Sequence, residues 1–137
     1  VGFPGETDDD HAETYSFLES LPLSYLHVFA FSPRPGTPAA NLPGAVNRQE
    51  KEKRSRQLIR LSESRRMQFM RSASGQIHDV LFEKRGHDGT VSGLTGNYIR
   101  VMTPWTKGLP GSIRRVKLTT LRDDSSMNCE LTDKEAL

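Results

Sequence analysis

The sequence holds one cysteine, Cys129, among 137 residues. A lone thiol excludes an internal disulfide framework and any cysteine-built metal cluster within these residues. Long apolar runs are also missing, so no segment reads as a membrane span, and the N-terminus carries no signal-peptide pattern. Hydrophobic residues make up 34% of the chain and mean hydropathy is −0.59, which leaves thin cores for one domain or two small ones. His11, His27, His78 and His87 stand in no ligand spacing with one another or with Cys129. There is no phosphate-binding loop, and no order of Ser, His and Asp marks a triad, so neither a metal ligand nor a catalytic residue is assigned. Together these absences make a cytoplasmic protein without membrane contact the expectation.

What is present is charge sorted along the chain. Residues 1–47 hold one Arg against six acids, whereas residues 48–71 hold nine Lys or Arg against three. Residues 72–122 hold eight basic residues against three acids, and the tail 123–137 reverses to one against five. A basic middle between acidic ends suits an anion-binding or nucleic-acid-binding surface, although solvated helix faces give the same count.

The chain is organised around residues 25–40, YLHVFAFSPRPGTPAA. Residues 25–31 are aromatic, β-branched or apolar on both parities, which predicts a strand covered on both faces, as in a parallel sheet. Pro33, Pro35 and Pro38 then stiffen a loop that aims Arg34 in one direction. Such a loop is either a rigid strand exit or a ligand contact. Upstream, residues 1–3 read as the end of a strand. Thr7, followed by three aspartates, is an N-cap with an approximate capping box, so a helix is expected from Asp8 until Pro22 ends it. This is a βαβ unit whose first strand is a stub. Because a parallel pair needs further strands beside it, residues 1–40 are expected to be the end of a larger α/β domain, with the strand at 25–31 partly disordered or paired with another copy.

After a Pro/Gly-punctuated linker, residues 48–72 form a long basic helix with a thin seam of Leu58, Ile59, Leu61, Phe69 and Met70. It reads as a solvated connecting helix, with phosphate contacts from Arg65, Arg66 or Arg71 as the sharper reading. Beyond Gly75 the period changes to two. His78, Val80 and Phe82 alternate, residues 86–89 make a hairpin turn, and residues 90–95 return. In residues 97–103, Ile99 and Val101 share one face while Tyr98, Arg100 and Met102 share the other, placing an aromatic beside a cation. In residues 111–119, Ile113, Val116 and Leu118 cannot share a face by strict alternation. A bulge near Arg114 and Arg115 would reconcile them and turn both arginines outward, near Lys117 and Arg100. A short strand at 127–131 is expected to place Met127, Cys129 and Leu131 inward, so Cys129 reads as a small core residue. Four or five short strands predict a small barrel of the oligonucleotide-binding type.

The residues VGFPGET (1–7), LPLSYLHVFAFSPRPGTPAA (21–40) and GLTGNYIRV (93–101), in this order around the basic helix, resemble the C-terminal part of the radical S-adenosylmethionine methylthiotransferases. LPLSYLHVF with NYIRV is most similar to the branch acting on threonylcarbamoyladenosine in tRNA, the alternatives being a related branch acting on isopentenyladenosine in tRNA or on a ribosomal protein, or a stand-alone RNA-binding module without catalysis. The resemblance implies an α+β chain: a terminal βαβ piece of a radical S-adenosylmethionine barrel (1–46), a linker helix (47–73), an RNA-binding TRAM β-barrel (74–131) and a tail (132–137). It implies S-adenosylmethionine and two [4Fe-4S] clusters in the full-length enzyme, an electron donor, and the tRNA anticodon stem-loop as partner. Neither cluster can be built from these residues, so the chain alone is expected to be inactive and open to non-native self-association. Gly2, Pro4, Gly5, Glu6 and Arg34 are expected beside the S-adenosylmethionine site. The RNA surface is expected at Arg65, Arg66, Tyr98, Arg100, Arg114, Arg115 and Lys117.

Overall fold

The computed structural model of the chain describes residues 1–86 and 88–132. Two compact units divide it, Val1–Arg66 and Met67–Leu137.

In the first unit, helix α1 (Asp8–Ser20) begins where the cap predicts. The Thr7 side chain accepts from the Asp10 amide at 3.1 Å, and the Asp10 carboxylate accepts from the Thr7 amide at 2.8 Å. The Thr7 amide and hydroxyl, both donating to that carboxylate, hold the Asp10 carboxyl below the usual carboxylate range. Helix α2 (Arg48–Ser72) starts at Asn47, whose side chain accepts from the Glu50 amide at 2.9 Å. The Val1 amino group donates to Phe29 O at 2.9 Å and the Phe31 amide donates to Val1 O at 2.7 Å, the pattern of a parallel pair joined through α1.

Residues 25–31 are extended but do not form the expected strand covered on both faces. Leu26 presents its amide and carbonyl to Ser62 Oγ, at 2.8 and 3.1 Å, and not to a neighbouring strand. Only alternate side chains are covered: Leu26 and Val28 are half-buried, while Tyr25, His27 and Phe29 stand in a row of ring contacts on the exposed side. The proline loop is ordered by a turn in which the Thr37 amide and hydroxyl both donate to Arg34 O. Gly36 occupies its left-handed position with φ 82° after Pro35, the arrangement a type II turn requires.

In the second unit, β1 (Ile77–Arg85), β2 (Thr90–Thr95), β3 (Arg100–Pro104), β4 (Ile113–Leu121) and β5 (Met127–Leu131) close into a barrel in the order β1-β2-β3-β5-β4. Every pairing is antiparallel except β3 with β5. Val80, Phe82, Val91, Val101, Val116, Leu118 and Met127 fill it, and Met70 and Ala73 at the end of α2 join the same buried cluster. Gly93 is required by this packing. A Cβ there would lie 2.6 Å from Val80 Cγ1 and 2.7 Å from Leu81 O. Cys129 is a core residue whose thiol burial pushes up to about 11, which removes it as a nucleophile at neutral pH.

Three details differ from the sequence-based expectation, the first being that Leu131, at the end of β5, is exposed and does not join Met127 and Cys129 in the interior. β4 alternates regularly against β1, with no bulge at Arg114 and Arg115; the irregularities fall between Phe82 and Lys84 and between Leu118 and Leu121. Strict alternation is satisfied because Ile113 faces outward, 68% exposed, so it never competed for the core. Tyr98 precedes β3 and lies in the turn after β2 with φ 65°. His87 of the hairpin turn and residues 133–137 of the tail lie outside the described residues.

Candidate nucleic-acid interface

The outer face of the barrel is set by strand register. Across β4, β1, β2 and β3, Ile113 pairs with Leu81, Leu81 with Leu94, and Leu94 with Arg100, a row of three aliphatic side chains ending in a guanidinium. The next outward positions pair Arg115 with Asp79 and then Lys117 with Ile77. Arg115 and Lys117 therefore share a face roughly 7 Å apart on one strand, whereas Arg100 stands on β3, which is not a neighbour of β4, in the row of Ile113. Arg114 takes the opposite parity and points with Val116 and Leu118, half-buried. The two consecutive arginines thus face opposite sides and do not form one patch, because the bulge that would have turned both outward is not there.

Carboxylates temper this face. Asp79 reaches Arg115 Nε at 3.7 Å in an exposed pair, and Glu130 stands opposite Lys117 on β5. Exposed pairs of this kind contribute about 0–1 kcal/mol, so a phosphate can displace Asp79 from Arg115 at small cost. Tyr98 is 77% exposed. The turn that presents it is held by the Thr95 hydroxyl, which donates to Asn97 Oδ1 at 2.6 Å and accepts from the Ile99 amide at 2.9 Å. A bulky side chain in the left-handed region is a strained arrangement that fits a position kept for contact.

On α2, Arg66 is exposed, but Arg65 is half-buried and donates to Glu19 O near the end of α1. Arg65 thereby serves the fold. Arg54, 4% exposed, does so more strongly. Its guanidinium donates to the Glu6 carboxylate at 2.9 Å, Glu6 O at 3.0 Å, Asp8 at 2.8 Å and Glu50 at 3.2 Å. Burial alone would lower its pKa, but the bonds to Asp8, Glu6 and Glu50 outweigh it and keep Arg54 charged.

Arg54 decides what the turn at residues 2–6 can offer a cofactor. The Glu6 carboxylate also accepts from the Gly2 amide, so its Oε2 is shared between two donors of the chain. Gly5 donates to Gly44 O at 2.8 Å, and the Lys51 stem covers Gly2, where a Cβ would lie 2.2 Å from Lys51 Cγ. Gly2, Pro4, Phe31, Pro33 and Lys51 line a hollow of about 80 Å³. Small-molecule sites occupy about 300–1,000 Å³, so these residues do not form an S-adenosylmethionine pocket by themselves. Arg34 is exposed on the turn beyond. No group of three His, Cys, Asp or Glu among the described residues could hold a metal ion, and the single cysteine is buried, so the residues present do not fit an iron–sulfur cluster. Among the described residues no helix is long and apolar enough to cross a membrane.

Comparison with known proteins adds the relatives. Over 122 residues, 86% of this chain, it is 34% identical to the threonylcarbamoyladenosine tRNA methylthiotransferase of Bacillus subtilis. Over 126 residues, 91% of the chain, it is 36% identical to the tRNA-2-methylthio-N(6)-dimethylallyladenosine synthase of Bartonella bacilliformis. The chain belongs to the tRNA methylthiotransferase family. A third relative, the threonylcarbamoyladenosine enzyme of Thermotoga maritima, is 31% identical over 129 residues. The chain spans 27–29% of the length of these relatives. No family model matches.

Proposed function

We propose that this chain is the C-terminal part of a tRNA methylthiotransferase that adds a methylthio group to C2 of a modified adenosine next to the anticodon, and that its barrel docks the anticodon stem-loop. The observation that carries the reading is the similarity along nearly the whole chain to enzymes of that name, joined to a closed five-stranded barrel with outward cations. Radical chemistry, S-adenosylmethionine, two [4Fe-4S] clusters and an external electron donor belong to the full-length enzyme in this reading, in the cytoplasm. The part described supplies RNA contact and is inactive alone. The substrate we favour is threonylcarbamoyladenosine, on the likeness of LPLSYLHVF and NYIRV. Dimethylallyladenosine is the second reading, favoured by the comparable identity to enzymes of that branch. Mass spectrometry of tRNA nucleosides from cells lacking the gene separates them. Loss of the methylthio form of threonylcarbamoyladenosine supports the first, loss of the dimethylallyl form the second, and loss of neither overturns the proposal.

Docking is tested by binding. Charge reversal at Arg115 and Lys117 should weaken anticodon stem-loop binding and flatten its dependence on log salt by about one unit per lost phosphate contact. Asp79→Asn should strengthen binding by freeing Arg115. Unchanged affinity and slope in all three variants would remove this face as the RNA site.

A further inference from the structure

Trp105 lies at the other end of β3 from Tyr98, and the outward face described above does not include it. It is the one tryptophan of the chain, it is 39% exposed, and it stands outside the buried cluster of the barrel. Partial exposure is ordinary for a tryptophan, but here it leaves a large aromatic surface open beside two cations, the setting in which Trp is enriched at interfaces. Its backbone is fixed, since the Trp105 amide donates to Gly89 O at 2.9 Å and Pro104 restricts the preceding φ. The Arg85 guanidinium carbon lies over the indole, 4.6 Å from its centroid. Arg85 and Lys107 are both exposed, and among the described residues neither has an ion-pair partner. Asp88, the nearby acid in the hairpin turn, is engaged by the Thr90 amide and hydroxyl, whose bonds hold its carboxyl below the usual range.

We propose that Trp105 and Arg85 form a stacking station for an unpaired base of single-stranded RNA. The inference rests on the RNA-docking reading and extends it to residues on a different part of the barrel. The indole supplies a flat apolar surface that any base can use, and the guanidinium both holds the ring and offers N–H groups to a phosphate. Lys107 adds a second cation on the same loop. Tyr98 and Trp105 are seven positions apart, so a strand of RNA following β3 meets an aromatic at each end, roughly 20 Å apart.

The test uses the full chain with two probes, a labelled oligo-uridine and a tRNA anticodon stem-loop. Because Trp105 is the only tryptophan, its intrinsic fluorescence reports this station alone, and stacking should quench it in step with binding. Trp105→Ala should weaken binding roughly 5- to 100-fold while leaving the salt slope unchanged, and Trp105→Phe should recover most of the loss. Arg85→Ala should weaken binding and also lower the slope by about one. Circular dichroism of each variant checks that the barrel still forms. If RNA binds wild type and Trp105→Ala equally and the fluorescence does not change, the station is refuted while docking stands. If wild type binds neither probe at low salt, docking itself fails and the station with it. Quenching by a protein partner but not by RNA would likewise overturn the proposal.

Discussion

Replacing Arg54 with Met should loosen the first unit and leave the barrel untouched. Met keeps much of the apolar stem and removes the guanidinium, so among the described residues the Glu6 carboxylate keeps the Gly2 amide alone as partner while it remains largely buried. Breaking a buried pair from one side costs about 3–5 kcal/mol. The lower end applies here, about 3 kcal/mol, because Asp8 is 82% exposed on its side chain and recovers solvation when released. That is a change of roughly 100-fold in the opening equilibrium. Hydrogen exchange resolved by segment should show α1 amides losing protection by about that factor, with β1–β5 unchanged. Arg54→Lys should fall between, since a lysine keeps the charge and loses the fork that reaches three carboxylates. A loss of protection below threefold in α1 would refute the view that this network holds the turn, and an equal loss in the barrel would refute its locality.

The same network sets an acid dependence. The Arg54 hydrogen bond, and then its charge, hold the Asp8 carboxyl below its ordinary value of 3.8. A lowered carboxyl stabilises the fold fully above the unfolded value and loses that contribution as pH falls through the folded value. Protection of α1 should therefore decline below about pH 4. In Arg54→Met the decline should be shallower. It should not vanish, because the Asp10 carboxyl is lowered by the Thr7 amide and hydroxyl, which the substitution leaves in place.

Two further outcomes follow from backbone geometry. Gly93→Ala places a methyl against Val80 and Leu81 O and should cost about 1–3 kcal/mol in barrel stability, read from the denaturation midpoint; an unchanged midpoint would mean that β2 can shift. Tyr98→Gly relieves a left-handed residue and should stabilise the barrel by about 1 kcal/mol while weakening stem-loop binding, and a variant that is both more stable and equally tight would exclude Tyr98 from the RNA surface.

The parts of the fold that were legible in the sequence are those written in local chemistry. Thr7 and Asp10 announce the start of α1, and the alternation of Val80 and Phe82 marks a half-buried strand. Ile113 misled because an aliphatic residue on a strand was assigned to the core, whereas a small barrel has too little interior for every such residue and leaves Ile113, Leu81 and Ile77 outside. Trp105 was missed for a related reason. Its signal is a half-exposed ring under Arg85, twenty positions away, and no periodicity carries that. The basic helix shows the same division among charges. Arg48 and Glu52 have a spacing that any helix reading can find, and they form a 2.7 Å pair on the surface. Such a pair contributes little. Arg54 finds Glu6 and Asp8 across 48 and 46 residues, and Lys51 and Arg65 find the carbonyls of Phe31 and Glu19. Charge counting cannot separate cations that serve the fold from those left for phosphate, and the spacing on the helix singles out Arg65, Arg66 and Arg71 without showing that Arg65 is taken. Arg65 and Arg54 are instead committed to the fold, so the case for RNA contact rests on exposed Arg66 and on the barrel cations, of which Arg85 and Lys107 have no carboxylate within ion-pair distance among the described residues.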